Sequence, residues 1–204
     1  MRPLPFIAIA ITSIASLGLI NHSQAPAAQE AAEAREQMSI DTTHSNAHFR
    51  VQHLGAGRFW GRFNDVNGAV SWTPGSTDDL EFDISIDVES VDSGVDQLDR
   101  HLKSPDFFNA KEFPNMTFKS TSAKQTGEDT YEVKGKLTIH GVTKPITAKV
   151  QWLGSNVTSR GKKVGFEATF KINRSEFGMN YGVEKGALGN EVDVIVAMEA
   201  NVQS

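Results

Sequence analysis

The sequence holds one close group of residues that could bind a metal, the histidines His44, His48 and His53. Imidazole is the commonest protein ligand for a transition metal. Apolar and polar residues alternate through this segment, which predicts a β-strand whose side chains point alternately to its two faces. His44 and His48 then share one face and His53 points to the other. The three rings cannot converge on one ion, and we predict that the protein holds no metal.

Two residues could instead contact a polar group of a ligand. His53 falls on the apolar face near the end of its predicted strand, where its ring is either buried and bonded to backbone or free to meet a ligand. Arg174 follows an apolar run that ends at Ile172 and precedes Phe177. A guanidinium there can bind an anionic or carbonyl group through two hydrogen bonds, or pair with a carboxylate and hold a turn. The sequence leaves both alternatives open at each residue.

The residues that nucleophilic catalysis would need are missing from the sequence. There is no Gly-x-Ser-x-Gly motif, and no serine, histidine and acid occur together in a suitable context. The run Gly55-Ala56-Gly57 is not a dinucleotide-binding motif, because the third glycine is misplaced and no helix follows. The absence of cysteine excludes thiolate chemistry and disulfides. We predict a protein that is not an enzyme and needs no cofactor.

The elements that position these residues are strands. From Leu80 to Val88 apolar and polar residues alternate without a break, which predicts a strand with one buried and one exposed face. The same alternation recurs at residues 47–52, 58–64, 70–72, 116–120, 131–139, 146–152 and 164–172. It also begins the last run, 192–202, which then becomes apolar on both sides around Ile195 and Ala197. We predict an all-β protein, a closed antiparallel barrel of about eight strands, since closure removes exposed sheet edges. A sandwich of two sheets is the alternative.

One segment departs from the strand pattern. Ser93-Gly94-Val95-Asp96 has the spacing of a capping box and predicts a short helix from Gly94 to Lys103. The irregular stretch after it contains three phenylalanines, Phe107, Phe108 and Phe113. These rings either plug one end of the barrel or line the entrance to an apolar channel.

The first residues have the features of an export signal. Arg2 precedes a mostly apolar run from Phe6 to Ile20, and Ala25-Pro26-Ala27 offers small residues for cleavage. We predict a signal peptide at residues 1–27, a flexible Ala/Glu-rich tether at 28–37 and one β-barrel domain at 38–204. An uncleaved membrane anchor is the alternative for the first segment. Cleavage would release the domain into the periplasm or the medium.

Charge narrows the range of partners. The chain carries a formal net charge of −5, and no basic stripe interrupts it. An acidic domain of this kind is poorly suited to binding nucleic acid or attaching electrostatically to anionic lipid. We therefore predict no nucleic-acid partner.

Several short motifs, in order and at familiar spacing, resemble the YceI-like family of bacterial secreted proteins. They are His44-Ser45, Phe49-x-Val51-x-His53, Gly61-x-Phe63 with Gly68, Arg100-His101-Leu102-Lys103-Ser104, Asp106-Phe107-Phe108, Phe113-Pro114-x-Met116-Thr117-Phe118, Gly141-Val142-Thr143-Lys144-Pro145, Arg174-x-x-Phe177-Gly178 and Gly189-Asn190-Glu191-Val192. The resemblance implies a lipocalin-like barrel with a helix near its mouth. It also implies a periplasmic or secreted location and an apolar tunnel for a polyisoprenoid lipid such as a prenyl-quinone or a polyprenyl phosphate. Family members are binders rather than established enzymes, and two-fold dimers are common among them.

Strand parity and this resemblance together give a set of expected ligand contacts. The tunnel walls are expected to be Phe49, Val51, Phe63, Trp72, Phe82, Ile84, Ile86, Leu98, Leu102, Phe107, Phe108, Phe118, Leu137, Ile139, Val150, Trp152, Phe166 and Phe170. The candidates for the ligand's head group are His53, His101 and Arg174. We expect an isoprenoid lipid as the partner, transient contact with a membrane, and a homodimer. A fully packed barrel that serves as a structural or stress-response interaction module is the alternative.

Overall fold

The computed structural model describes residues 34–203, which form one sheet of eleven strands and one α-helix. The strands are β1 (Glu36–Ile40), β2 (Asn46–His53), β3 (Gly57–Phe63), β4 (Val66–Trp72), β5 (Glu81–Asp87), β6 (Val91–Asp92), β7 (Asn115–Gly127), β8 (Thr130–Ile139), β9 (Val142–Thr158), β10 (Gly161–Asn173) and β11 (Leu188–Val202). The helix is α1 (Asp96–Leu102), and single 3-10 turns occur at Val88–Ser90 and Arg174–Phe177.

The sheet closes on itself. From β4 the antiparallel order runs through β5, β7, β8, β9 and β10 to β11, and β1 then joins the end of β11 to β4. Along the rest of β11 the position of β1 is taken by β2, whose other neighbour is β3. The result is a closed eight-stranded antiparallel barrel. The predicted barrel is confirmed, and the sandwich alternative is wrong.

Strands β1 and β2 lie one after the other along β11, and β11 forms hydrogen bonds with the residues on both sides of the break between them. The Asp41 amide donates to the Glu199 carbonyl at 2.8 Å. The Glu199 amide donates to the Ser45 hydroxyl at 3.0 Å. These bonds satisfy the backbone of β11 where residues 42–44 leave the sheet, so the barrel wall stays continuous across the interruption.

The alternation of side chains sorts inside from outside as the sequence predicts. On β5 and the residue before it, Leu80, Phe82 and Ile84 are buried while Glu81 and Asp83 are exposed. On β8 the buried apolar residues are Tyr131, Val133, Leu137 and Ile139. Because each strand turns the same parity inward, the apolar faces meet inside the barrel.

The segment between β5 and β7 carries the helix across one end of the barrel. Helix α1 begins at Asp96, later than predicted, and the capping-box prediction is wrong. Val95 is the N-cap and makes no side-chain capping bond. The Ser93 amide instead donates to the Asp99 carboxylate at 2.7 Å, which anchors the chain before the helix.

The N-terminal predictions lie mostly outside the described residues: the signal peptide at 1–27 falls there entirely, and so does the tether up to residue 33. The tether's last two residues, Glu36 and Gln37, belong to β1, so its predicted end at 37 is too late. The Gln37 carbonyl accepts a hydrogen bond from the Gln203 amide at 2.8 Å. Within residues 34–203 no helix is long and apolar enough to cross a bilayer.

Candidate ligand-binding cavity

The barrel contains a cavity of about 560 Å³ at the end covered by α1. Its walls come from β2, β3, the mouth ends of β5, β7, β8 and β10, the first half of β11, and α1 itself. Leu98 and Leu102 of α1 lie at the cavity, and so do Phe107 and Phe108 of the following loop. The rim reaches solvent, since His53 at the end of β2 and Tyr181 in the loop between β10 and β11 are exposed. A space of this size suits one ligand molecule.

The cavity wall is almost entirely apolar, and three of its phenylalanines pack against one another. The rings of Phe49 and Phe63 have centroids 5.7 Å apart, and Phe108 packs edge-on against Phe63 at 5.1 Å. Phe107 and Phe108 both line the cavity at this end of the barrel. Phe113 lies elsewhere, with its ring 4.9 Å from that of His140 in the turn between β8 and β9.

A second, smaller void of about 50 Å³ adjoins the cavity deeper in the barrel. The two spaces share five wall residues, which are Ile86, Met116, Leu137, Phe170 and Val196. The smaller void is almost devoid of polar surface. The apolar interior therefore narrows with depth.

Most of the residues expected to form the tunnel lie at one of these spaces. The main cavity is lined by Phe49, Val51, Phe63, Ile86, Leu98, Leu102, Phe107, Phe108, Leu137, Ile139 and Phe170. The deeper void alone is lined by Phe82, Ile84, Phe118 and Val150.

Three expected tunnel residues line neither space, which corrects the sequence assignment. Trp72 lies with its ring centroid 5.6 Å from that of Trp152 and 6.2 Å from that of Phe166. Phe166 also meets Phe82 edge-on at 5.5 Å. These large rings pack against one another inside the far end of the barrel. They form a floor, so the cavity does not continue past them.

Arg174 is buried at the cavity wall, with 5% of its surface exposed. Its guanidinium donates hydrogen bonds to backbone carbonyls, at 2.8 Å to Gly189, 2.9 Å to Met179 and 2.7 Å to Tyr181. A longer contact of 3.4 Å reaches the Leu188 carbonyl. No carboxylate of residues 34–203 forms an ion pair with it, and burial lowers the pKa of Arg174. The arginine holds the loop between β10 and β11 in place, by carbonyls rather than by the carboxylate partner considered from the sequence.

The two histidine candidates occupy different parts of the rim. His101 on α1 lies 3.0 Å from the Asp106 carboxylate, and its ring packs edge-on against Phe107 and Tyr181, each at 4.9 Å. It thus connects the helix to the β10–β11 loop across the mouth. His53 is exposed at the end of β2, so its interpretation as a buried, backbone-bonded histidine is wrong.

The described residues contain one group with the geometry of a metal site, formed by Asp41, His44 and Glu199 at the β1–β2 break. Lys163 already supplies a cation there. Its ammonium lies 2.6 Å from the Asp41 carboxylate and 3.2 Å from that of Glu199. The group is an ion-pair cluster on the outer surface, away from the cavity.

Several cavity residues were not assigned from the sequence. Val192, Val194 and Val196 share the inward parity of β11, a strand that the sequence predicts by alternation, so the same rule could have assigned them to the cavity wall. Met179 and Tyr181 belong to a loop that has no periodicity, so no pattern in the sequence indicates that they reach the cavity.

A closed eight-stranded barrel with an apolar cavity open at one end is the architecture of lipocalin-like binding proteins. The family model described as the YceI-like domain matches residues 38–200, and the chain belongs to this family. Protein YceI of Escherichia coli O17:K52:H18 is 35% identical over 184 residues, which cover 90% of this chain and 95% of the relative.

Solved structures agree on the fold. Burkholderia cenocepacia BcnA is 25% identical, with a TM-score of 0.72 over 79% of this chain and 99% of that one. A domain from Saccharophagus degradans, described as a polyisoprenoid binding domain, is 18% identical, with a TM-score of 0.62 over 81% of this chain and 98% of that one.

Proposed function

We propose that this protein binds one molecule of an isoprenoid lipid in its barrel and sequesters or carries it through water. The observation that supports this most is the 560 Å³ cavity, whose wall is apolar almost throughout. The S. degradans domain of the same fold is described as binding polyisoprenoid. A prenyl-quinone or a polyprenyl phosphate has the slim, branched hydrocarbon tail that such a space can enclose.

Burial of the lipid tail in the cavity is strongly favourable relative to water, and burial in a membrane is equally favourable. At about 25 cal/mol per Å², hiding several hundred Å² of hydrocarbon is worth on the order of 10 kcal/mol relative to water. A bilayer hides the same surface. The net preference for the protein therefore comes from the shape of the cavity and from polar contacts at its mouth, and a small preference favours reversible transfer.

The head group is proposed to lie at the mouth. His101 and His53 are polar residues on the rim, where a head group can stay partly in water while the tail is buried. Arg174 also belongs to the wall, but most of its donors are already bonded to backbone carbonyls. We therefore assign it a supporting role and the two histidines the contact role.

The remaining parts of the proposal rest on the sequence. The apolar N-terminal run followed by small residues favours export, and the absence of cysteine suits a domain that folds without disulfides. We propose a binding protein of the periplasm or the medium, without catalytic activity or a cofactor, that contacts membranes transiently and forms a homodimer.

Native mass spectrometry of protein purified from cells tests the proposal directly. We expect a bound mass that organic extraction identifies as an isoprenoid lipid, and uptake of a prenyl-quinone by the stripped protein. Val194→Trp, on the cavity wall, should reduce uptake severalfold. Val157→Trp, at a site 77% exposed beyond the other end of the barrel, is the matched control and should leave uptake unchanged.

The alternative is a barrel that acts as a structural or stress-response interaction module and carries no lipid. That alternative requires an unliganded mass from cells and no uptake of a prenyl-quinone by the stripped wild-type protein. Such a result would overturn the lipid-binding proposal and leave the fold assignment intact.

A further inference from the structure

The tip of the β2–β3 hairpin has an unusual residue for its backbone conformation. Leu54 has φ = 51° and is followed by Gly55 with φ = 65°, and the Ala56 amide closes the turn on the His53 carbonyl at 3.0 Å. Two consecutive positive φ angles are those of a type I′ turn, in which Asn and Gly are preferred. A leucine there is strained in its backbone. Its side chain is also 65% exposed, so it gains little from burial.

Comparison with similar positions shows that Leu54 is uncompensated. Among residues 34–203 the other non-glycine residues with positive φ are Asn109 and His140. Asparagine tolerates this conformation, and the Asn109 side chain also donates to the Glu112 carboxylate at 2.8 Å. His140 packs on an aromatic ring and its Nδ1 lies 3.2 Å from a backbone carbonyl. Leu54 has only a backbone bond, so asparagine would suit both its conformation and its exposure better.

Leu54 stands at the mouth of the cavity. Its neighbour His53 and Phe59 on the other strand of the hairpin both line the cavity. Its amide donates to the Ala187 carbonyl at 2.8 Å, which ties the hairpin tip to the β10–β11 loop. That loop presents Tyr181, with 48% of its surface exposed. Two exposed apolar groups therefore stand on adjoining parts of the rim through which a ligand must enter.

The charges around these two groups differ from those of the chain as a whole. The exposed basic residues beside them are Arg58 on the hairpin and Lys185 on the loop, and the exposed acids are Glu184 on the loop and Asp106, which contacts His101 next to Tyr181. The charges at this part of the rim therefore balance. The whole chain has a net charge of −5. Long cationic side chains beside an apolar tip and an interfacial tyrosine are typical of surfaces that lie in the headgroup region of a bilayer.

We propose that Leu54, assisted by Tyr181, is a membrane anchor that inserts into a lipid bilayer and places the cavity mouth against it. The proposal deepens the proposed function, since it names the surface from which the ligand is taken. A bilayer fits these groups better than a protein partner does, because two separate tips do not make the contiguous area of roughly 800 Å² that a stable protein interface needs on each side. The strain at Leu54 then has a function, as strained turn residues at binding sites often do.

Flotation with protein-free vesicles of phosphatidylethanolamine and phosphatidylglycerol tests the anchor. We expect the wild-type protein to float with the vesicles and Leu54→Asn to bind roughly tenfold more weakly, which is the effect expected from losing one inserted leucine. Val157→Asn removes a more exposed apolar side chain at the other end of the barrel and should float like the wild type. The thermal midpoint of Leu54→Asn should equal or exceed that of the wild type, since asparagine relieves the turn.

Uptake of a water-soluble prenyl-quinone with one isoprene unit separates this proposal from the previous one. We expect Leu54→Asn to bind this probe in solution as the wild type does, while it draws a long-chain quinone from vesicles more slowly. Equal flotation of the wild type and Leu54→Asn would overturn the anchor proposal. Failure of the wild type to bind protein-free vesicles would also overturn it, and would favour a protein partner at the rim. A protein that floats through Leu54 but takes up no quinone sustains the anchor and overturns the lipid-carrier function.

Discussion

The ring of Phe49 lies over Gly61, the residue directly opposite it on the neighbouring strand, and fills the space that a side chain at position 61 would need. Phe49 also forms part of the cavity wall. The glycine in the Gly61-x-Phe63 motif is therefore explained by packing: it lets an aromatic ring of β2 lie flat against β3 at the ligand cavity.

We predict that Gly61→Ala lowers the free energy of unfolding by about 1–3 kcal/mol, because the new methyl overlaps the Phe49 ring and pushes it toward the cavity. Equilibrium unfolding in urea measures the change. Gly57→Ala on the same strand is the control, since a methyl there meets no atom within 4 Å and should change stability by less than about 0.5 kcal/mol. If Gly61→Ala changed the free energy of unfolding as little as Gly57→Ala does, the Phe49 ring would be able to move aside without loss of stability.

We predict that Arg174→Met destabilises the protein by about 2 kcal/mol or more, because it leaves the buried carbonyl of Met179 and the partly buried carbonyl of Gly189 without their donor. Amide hydrogen exchange should increase most in residues 178–190. Arg160→Met on an exposed turn is the control. Unchanged exchange together with lost binding of a polyprenyl phosphate would contradict the supporting role and make Arg174 a head-group contact.

The barrel could be predicted because its main determinant is local. Whether Phe82 or Asp83 faces inward follows from their positions along one strand, and closure follows when enough strands share one apolar parity. How far a residue lies from the mouth does not follow in this way. Trp72 and Phe49 have the same inward parity, yet one belongs to the floor and the other to the cavity wall, because strands distant in sequence decide which rings meet.

The hydrogen-bond partners of individual polar side chains could not be predicted from the sequence either. The sequence places Arg174 after an apolar strand but does not show that the following loop folds back to offer it carbonyls. The capping-box pattern at Ser93 failed for a similar reason, since the Asp99 carboxylate binds the Ser93 amide and the helix begins later. Motifs indicated which segments matter, and tertiary contacts decided what each polar group does.

We predict that stability depends on Asp41 as the pH is lowered. Hydrogen bonds from the Lys163 ammonium, and next from His44, hold the pKa of Asp41 well below its usual range. A folded-state pKa below the unfolded value, about 3.9, stabilises the protein above that pH, and the contribution is lost as the pH falls toward the folded-state pKa. Asp41→Asn should therefore cost roughly 0.5–1 kcal/mol at neutral pH and progressively less below pH of about 4.

Urea unfolding of the wild type and Asp41→Asn across this pH range measures the difference. Asp78→Asn is the control, because Asp78 is exposed and forms no ion pair with any residue between 34 and 203. A difference between wild type and Asp41→Asn that stays constant down to strongly acidic pH would mean that the carboxylate is not what the cluster stabilises.

Because the interior narrows with depth, we predict that a tryptophan introduced deep in the barrel destabilises the protein, whereas one introduced at the main cavity is tolerated. Ile84 borders only the deeper void of about 50 Å³, so Ile84→Trp should overpack the barrel and lower the free energy of unfolding by about 1–3 kcal/mol. Val194 borders the 560 Å³ cavity, where the indole of Val194→Trp has room and should leave the stripped protein near wild-type stability. Urea unfolding before and after addition of a prenyl-quinone measures both effects, and we expect the ligand to stabilise the wild type but not Val194→Trp, because the indole occupies the ligand's space. If Val194→Trp proved as damaging as Ile84→Trp in the stripped protein, the cavity would have to be filled by the chain's own side chains in solution, and the lipid would have no place to bind.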